Sequence, residues 1–189
     1  NFYYFCVLNQ IIRIMPTSKL TLNVQSEIGK LEAVMLHYPG PEVENMTPKN
    51  AQRALYSDIL NLSIAQKEYA QLKGVLEKTS LVYKVSDLLE KVLEIPGQRL
   101  SLLQKICVTE QVEDYFDYLL ELSSSQLTKI LIEGLPMQVK TLTDFLKEEY
   151  YALQPLYNFY FTRDTSVTIG NTSLVCKMAN TVRMRESVI

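Results

Sequence analysis

One segment of the chain combines aromatic, β-branched and charged residues in a pattern that could do chemistry. Asp164 closes the run 158–164, which the composition predicts to be an aromatic strand. A carboxylate against an aromatic wall is costly to desolvate unless a cation pairs with it. It therefore suits a bound guanidinium, whose planar donors match both carboxylate oxygens. The alternative is that Asp164 caps the turn before Thr165 or pairs with Arg163, and spacing alone favours this alternative because Asp is common in turns.

Other candidates for catalytic or metal-binding chemistry are few. Cys6, Cys107 and Cys176 lie far apart and His37 is the only histidine, so we expect no Cys/His zinc site. Cys176 falls in a predicted hairpin strand without a nearby histidine, and we expect a small hydrophobe rather than an activated thiolate. His37 follows the first predicted strand and is expected to be structural. Sparse thiols fit a reducing compartment, so we expect a cytoplasmic protein.

Composition and charge exclude two classes of partner. Of the 189 residues, 47% are hydrophobic and 21% charged, and the net charge is -2 with a pI near 5.6. These values are ordinary for a globular protein. They give no electrostatic reason to expect nucleic acid or an anionic membrane as partner, and Lys and Arg form no cluster.

The two ends of the sequence have their own expectations. Residues 1–14 are apolar but too short to span a bilayer, and they lack a signal-peptide pattern. We expect Met15 to be the true start, with 1–14 a read-through from upstream. Residues 183–189 break off inside a plausible helix start, which predicts a missing C-terminal portion.

The elements that must position Asp164 fall into three stretches. In 15–85 we expect a strand at 31–36, a helix N-terminus at Thr47-Pro48, a helix over 59–78 and a strand at 81–85, the order of an α/β unit. In 86–153 five helices are expected, the first capped by Ser86-Asp87 and ending at Pro96-Gly97. The others span 98–107, 110–122, a segment from Ser123 to Gly134, and 143–153. Short breaks between helices are typical of a bundle, interpreted here as a structural insertion.

The third stretch, 154–189, returns to strands. We expect a strand over 158–162, and a hairpin of 166–169 and 173–176 around the turn dipeptide Gly170-Asn171.

Ordered sequence blocks resemble the arginine deiminase family. They are Ser26-Glu-Ile-Gly-Lys-Leu31, Val34-Met-Leu-His-Tyr-Pro-Gly40, Thr47-Pro48, Leu55-Tyr-Ser-Asp58, Phe161-Thr-Arg-Asp164, Gly170-Asn171, Lys177-Met178 and Arg183-Met-Arg185-Glu186. The resemblance runs from about Ser26 to Ile189 and includes a helical insertion. It implies an α/β fold, a partial five-bladed α/β propeller (pentein) with an inserted α-helical bundle domain. The expected domains are 15–85, the first propeller module; 86–153, the inserted bundle; and 154–189, a truncated return to the propeller.

The resemblance implies a reaction. Family members hydrolyse L-arginine to L-citrulline and ammonia through a covalent Cys-amidino intermediate, without metal or organic cofactor. The family's nucleophilic cysteine and catalytic histidine lie beyond Ile189, so the chain alone is expected to be inactive. The implied partner is L-arginine, with homo-oligomers expected of a full-length protein.

Site residues carry over position by position. Asp164 matches the acidic clamp of the guanidinium, and Arg183 matches the arginine that pairs with the substrate α-carboxylate. Asn158 and the backbone of Phe161 match groups that hold the amino-acid end of arginine, and Leu55 lies on a loop that closes over the ligand. One departure is Tyr56-Ser57-Asp58, where members often carry Phe-Asp-Asp.

Three alternatives stay open. An amidinotransferase or a dimethylarginine hydrolase shares the implied propeller, although the helical insertion argues against the compact hydrolases. A non-catalytic arginine-binding or assembly fragment would keep the clamp without nucleophilic chemistry. A plain α/β domain with a helical insert is compatible with the composition.

Overall fold

The secondary structure is a mixture of helices and short strands over the residues that the computed structural model describes, 21–45, 60–138 and 150–189. The expectations for residues 1–14, Cys6, Thr47-Pro48, Leu55, Tyr56-Ser57-Asp58 and most of 143–153 fall outside these ranges. In chain order the elements are β1 (Ala33–Leu36), α1 (Pro41–Glu44), α2 (Leu62–Leu76), β2 (Leu81–Lys84), α3 (Val85–Leu93), α4 (Pro96–Glu110), a 3-10 turn (Glu113–Tyr115), α5 (Phe116–Glu121), α6 (Ser124–Glu133), β3 (Leu135–Pro136), β4 (Tyr151–Leu153), α7 (Thr162–Thr165), β5 (Ser166–Ile169), β6 (Thr172–Val175) and a C-terminal 3-10 helix (Thr181–Ser187).

The first α/β unit is formed as expected. Strands β1 and β2 are parallel, with Val34 opposite Val82, and α2 lies between them in sequence. Helix α2 begins after Asn61, whose side-chain Oδ1 accepts hydrogen bonds from the backbone N–H groups of Ser63 and Ile64 at 3.0 and 3.3 Å. Such a cap satisfies donors that have no partner within the helix, so it fixes where the helix starts.

Helices α3 to α6 surround the hydrophobic core. Helix α3 packs on α6, and α4 packs on α5. The core continues from these helices into the chain that follows β4, so one apolar interior supports both the helical stretch and the segment that leads to Asp164. Its buried members are Leu89, Leu93, Leu103, Ile106, Cys107, Val112, Leu119, Leu127, Leu131, Ile132, Leu135, Leu153, Leu156 and Phe159.

Several expected helix boundaries are corrected. The N-cap of α3 is Lys84 rather than Ser86-Asp87, and α4 begins at Pro96 rather than at residue 98. Proline fits the first helical turn because its missing N–H has no partner there, and it holds the preceding Ile95 in an extended conformation. The expected helix over 110–122 is a 3-10 turn followed by α5, because Gln111 takes a left-handed conformation with φ of 57°.

Helix α6 has the expected bounds. The Ser123 hydroxyl accepts from the backbone N–H of Gln126, and the Gln126 side chain accepts in return from the Ser123 N–H, both at 3.2 Å. This capping box starts the helix, and Gly134 ends it.

The expected helix over 143–153 is wrong at its C-terminal end. Residues Tyr151–Leu153 form β4, which pairs antiparallel with β3. Leu153 is buried in the core, and the N–H of Leu156 donates to the carbonyl of Ile132 at 2.9 Å. Pairing of Tyr151–Leu153 with β3, which follows α6, therefore overrides the helical pattern of the sequence.

The expected strand over 158–162 is also wrong. Residues 157–160 form turns and Thr162–Thr165 form α7. Three successive backbone hydrogen bonds each span three residues, from the N–H groups of Phe159, Phe161 and Asp164 to the carbonyls of Leu156, Asn158 and Phe161. Phe159 is buried, so tertiary packing has overridden the strand propensity of the aromatic residues.

The final hairpin agrees with its expectation. Strands β5 and β6 are antiparallel, with Val167 opposite Leu174, and Gly170 at the turn has φ of 57°. Val24 and Gly170 exchange backbone hydrogen bonds at 2.8 and 2.7 Å, which ties the hairpin to the start of the described chain.

The sheets of the described ranges each contain two strands: β1-β2, β3-β4 and β5-β6. This arrangement fits the mixed α/β class, and the propeller, the inserted domain and the domain boundaries stay predictions. Among the described helices, none is both long and apolar enough to cross a membrane.

Candidate functional site

Asp164 and Arg183 meet in space although they lie 19 residues apart in sequence. The Arg183 Nη1 atom donates to Asp164 Oδ2 at 2.9 Å. The side chain of Arg183 is 10% exposed, whereas that of Asp164 is 48% exposed. The carboxylate proposed to bind a guanidinium thus binds the guanidinium of the second predicted site residue, at the edge of solvent.

A second carboxylate holds the other side of Arg183. Glu186 accepts from Nε at 3.1 Å through Oε1, and from Nε and Nη2 at 3.0 and 2.8 Å through Oε2. Its side chain is 1% exposed. The planar guanidinium therefore lies between a buried carboxylate and a half-exposed one, with charge-assisted hydrogen bonds to both.

The ionisation of this cluster follows from its burial and its charges. Burial by itself would lower the pKa of Arg183, but the hydrogen bonds and charges of Glu186 and Asp164 outweigh it, so the pKa is raised. Burial raises the pKa of Glu186, and the charge of Asp164 adds to this, although Arg183 opposes both. Pairing alone would raise the pKa of Arg183 and lower that of Glu186. Arg183, with two carboxylates, follows this direction, whereas Glu186 departs from it because its burial outweighs the pairing.

The neighbour of Asp164 does not compete for it. Arg163 Nη2 donates instead to Glu27 Oε2 at 2.9 Å, and both side chains are exposed. The alternative in which Asp164 pairs with Arg163 is therefore not what the structure shows.

The turn that carries Asp164 is anchored to two strands. The Thr162 hydroxyl donates to the carbonyl of Met35 in β1 at 3.2 Å. The backbone N–H of Cys176, which follows β6, donates to the carbonyl of Thr165 at 2.9 Å. Helix α7 is a single turn, so these two contacts fix its position.

The remaining predicted site residues lie on or outside this turn. Asn158 is buried, and its carbonyl accepts from the N–H of Phe161 at 3.0 Å. The carbonyl of Phe161 is bound by the N–H of Asp164, and its ring is half exposed and packs 4.4 Å from the ring of Tyr160. Leu55 lies outside the described residues. The structure brings Asp164 and Arg183 into contact, and places Asn158 and Phe161 on the same turn as Asp164.

Arg185 anchors the C-terminal 3-10 helix to the core of the protein. Its side chain is completely buried, Nη2 donates to the carbonyl of Gln154, and Nη1 lies 3.7 Å from Glu110 Oε1. Burial lowers the pKa of Arg185, against the attraction of Glu110 and Glu186. The guanidinium thereby joins α4, the chain after β4 and the turn that carries Arg183.

A groove of about 260 Å³ lies beside the ion cluster. Glu186 and Thr165 line it on the site side. Much of the rest is apolar and comes from α3, α4, β1, β6 and the C-terminal end, together with polar residues such as Gln98 and Lys105. The volume is a little below the roughly 300 Å³ at which small-molecule pockets usually begin, so it suits a ligand of amino-acid size. A separate pocket of about 190 Å³ lies near Tyr38 and Lys73. Asn158, Phe161, Asp164 and Arg183 line neither the groove nor this pocket.

Neither Cys107 nor Cys176 forms part of the ion cluster of Asp164, Arg183 and Glu186. Cys107 is buried in the core, and burial, followed by the charge of Glu113, raises the pKa of its thiol. Cys176 is partly buried and unpaired with another cysteine. Within the described ranges, no group of three or more His, Cys, Asp or Glu side chains could hold a metal ion.

Two residues of the cluster received no role from the sequence. Glu186 and Arg185 belong to the block 183–186 that carries the family resemblance, but no function was predicted for either residue. The spacing of three between Arg183 and Glu186 is the available signal, because residues i and i+3 share one face of a 3-10 or α helix.

The fold and the cluster together define a mixed α/β protein whose candidate site sets a buried arginine between two carboxylates. The family model described as arginine deiminase matches residues 52–189. Arginine deiminases of Streptococcus pneumoniae serotype 19F and of serotype 4 are each 33% identical over 184 residues, covering 88% of this chain and 45% of the relative. The chain belongs to the arginine deiminase family, and it spans about half the length of the curated relatives that it matches.

Proposed function

We propose that this chain carries the arginine-recognition part of an arginine deiminase, which converts L-arginine and water to L-citrulline and ammonia. The observation that supports this most directly is the contact of Asp164 with the guanidinium of Arg183 at 2.9 Å. A carboxylate that binds the protein's own guanidinium has the geometry to bind that of a ligand.

Recognition then proceeds by exchange of ion pairs. Free L-arginine offers a guanidinium to Asp164 and an α-carboxylate to Arg183, so one internal ion pair is replaced by two pairs with the ligand. Asp164 is the partner that turns, because it is half exposed, whereas Arg183 is buried and held by Glu186. Arginine within a peptide has no free α-carboxylate, so it is a poor ligand in this scheme.

The other predicted residues complete the amino-acid end of the site. Asn158 and the backbone of Phe161 bind the amino-acid group, and the loop that carries Leu55 closes over the ligand, as the family resemblance implies. Asn158 and Phe161 lie on the turn that also carries Asp164, which supports their acting together.

The bond-making groups come from outside the matched half. A cysteine thiolate attacks the guanidinium carbon, ammonia leaves with a proton from a histidine, and water then releases citrulline from the amidino-thioether. Cys107 cannot take this role because it is buried and its thiol pKa is raised. The propeller, homo-oligomers and a cytoplasmic location belong to the same proposal.

Ligand binding to the 189-residue chain tests the recognition role. Titration with L-arginine, followed by amide NMR, should shift residues of the 158–164 turn and the 181–187 helix, with L-lysine weaker because it lacks the guanidinium fork. Asp164→Asn should weaken L-arginine binding by about tenfold or more, the effect of losing a charged hydrogen bond. Arg163→Gln, the neighbouring control, should leave it unchanged since Arg163 pairs with Glu27 at the surface.

Turnover tests the chemistry separately. The test uses a hybrid in which this chain replaces the matching segment of the serotype 4 relative. In that hybrid, Asp164→Ala should abolish citrulline formation, and near-normal turnover would contradict the clamp. Equal shifts with arginine and lysine in the isolated chain would contradict the recognition role itself.

A further inference from the structure

We infer that Glu186 is a positioning residue that sets the chain's preference for ligands with a free α-carboxylate, acting through Arg183; this rests on the proposed function. Glu186 binds Nε and Nη2 of Arg183 at 2.8 to 3.1 Å. Three hydrogen bonds to one edge fix the plane of the guanidinium. The Nη1 group is then the one left facing Asp164 and the ligand.

The local backbone makes this contact possible. Thr181–Ser187 is a 3-10 helix, whose three residues per turn place Arg183 and Glu186 on one face. Asn180 caps it, with Oδ1 accepting from the N–H of Val182 at 3.0 Å. Arg185 is buried and contacts Gln154 and Glu110. Arg185 thus holds the backbone of the C-terminal 3-10 helix in place, while Glu186 orients the side chain of Arg183.

Burial makes Glu186 the dominant partner of Arg183. The carboxylate is 1% exposed, against 48% for Asp164. A contact shielded from water is stronger and less mobile than one at the surface. When Asp164 turns to a ligand guanidinium, Glu186 therefore keeps Arg183 charged and in place, so Nη1 is already directed for a carboxylate. Pre-orientation of this kind raises affinity because less side-chain freedom is lost on binding.

A comparison of L-arginine with agmatine isolates this role. Agmatine carries the guanidinium and lacks the α-carboxylate, so it uses Asp164 without Arg183. Glu186→Gln should weaken L-arginine binding by about tenfold, equivalent to about 1.4 kcal/mol, and agmatine binding by less than about threefold. The arginine-to-agmatine preference should therefore fall. Glu27→Gln, the same change in the exposed ion pair with Arg163, should leave the preference as it is.

A double-mutant cycle shows whether Glu186 acts through Arg183. Arg183→Gln should lose the preference, and adding Glu186→Gln should cause no further loss. Additive losses, or an unchanged preference in Glu186→Gln, would overturn the inference. Glu186→Asp keeps the charge with a shorter side chain, so it should recover part of the preference. This variant replaces Glu186→Gln in the test if Glu186→Gln does not fold.

A readout without ligand separates this inference from the proposed function. Exchange of the Arg183 Nε–H proton with water should be slow in the wild type and fast in Glu186→Gln, because Nε donates to the buried carboxylate. Fast exchange in the wild type would overturn the positioning role even if arginine binds. Slow exchange in a chain that binds neither ligand would refute the proposed function and with it the effect on ligand preference.

Discussion

His37 and Glu42 form a buried pair, with His37 Nε2 3.0 Å from Glu42 Oε1 and both side chains shielded from solvent. The same carboxylate oxygen accepts from the backbone N–H of Gly40 at 2.7 Å, and the imidazole packs on Phe159 at 4.8 Å between ring centroids. The end of β1 is thereby fixed against the turn that precedes Asp164. A structural role for the single histidine fits these contacts.

Glu42→Ala should destabilise the chain by about 2–4 kcal/mol, since it leaves His37 and the Gly40 N–H buried without their acceptor. Urea unfolding followed by circular dichroism measures the change. Glu77→Ala is the matched control, because Glu77 pairs with Lys73 at the surface of α2 and should contribute about 1 kcal/mol or less. Equal losses of stability in the two variants would show that the buried pair of His37 and Glu42 contributes no more than an exposed ion pair.

Gly134→Ala should also destabilise the chain strongly. Gly134 has φ of 94°, and an added Cβ would lie 2.8 Å from the carbonyl oxygen of Leu153 and 2.9 Å from the nitrogen of Pro155. Both neighbours are backbone, so the chain leading to Asn158 would have to shift. We expect a loss of at least about 2 kcal/mol, from left-handed strain together with overpacking.

Gly74→Ala should have the opposite effect on stability and serves as the comparison. Gly74 lies inside α2 with nothing within 4 Å of the added Cβ, so the change should stabilise by about 0.5–1 kcal/mol through helix propensity. Thermal unfolding of the two variants beside the wild type measures both. A neutral Gly134→Ala would mean that the close approach to Leu153 is not maintained in solution.

The sequence predicted elements well where local chemistry decides them. The helix from Ser123 to Gly134, the hairpin turn at Gly170 and the strands on either side of α2 were predicted, because each element depends mainly on its own residues. The strand expected over 158–162 failed because burial of Phe159 in a core shared with the helices decides its conformation. No window of local sequence contains that contact.

The candidate site was predictable in its parts and not in its assembly. The ordered blocks indicated Asp164 and Arg183 through family resemblance. Their ion pair spans 19 residues and depends on how α7 and the C-terminal 3-10 helix pack, which spacing does not give. Glu186 and Arg185 were missed because charged residues in a short helix are usually solvated, and only burial shows otherwise.

Thiol labelling should distinguish Cys107 from Cys176. Burial raises the pKa of Cys107 and removes its sulfur from solvent, whereas Cys176 is only partly buried. Iodoacetamide should therefore modify Cys176 in the folded chain and reach Cys107 only after denaturation, as peptide mass spectrometry can resolve. Rapid labelling of Cys107 under native conditions would contradict its place in the core.

The raised pKa of Glu186 predicts how stability changes with pH. Because burial, with the charge of Asp164, raises the pKa above its ordinary value of 4.5 despite Arg183, the folded chain holds this proton more tightly than the unfolded chain. The resulting contribution to the free energy of unfolding is fully present below the unfolded pKa and is lost as the pH rises through the raised folded pKa. Glu186→Gln lacks this titration, since its amide is neutral throughout.

The difference in Tm, wild type minus Glu186→Gln, should therefore fall as the pH rises above the ordinary glutamate pKa of 4.5. Raised pKa values of Asp or Glu elsewhere affect both proteins equally and cancel in the difference. A difference that instead grows with pH would mean that Arg183 lowers the pKa of Glu186 by more than burial raises it. Burial that raises the pKa of Glu186 makes its charged form costly to the fold, which fits a carboxylate whose proposed contribution is to orient Arg183 rather than to stabilise the fold.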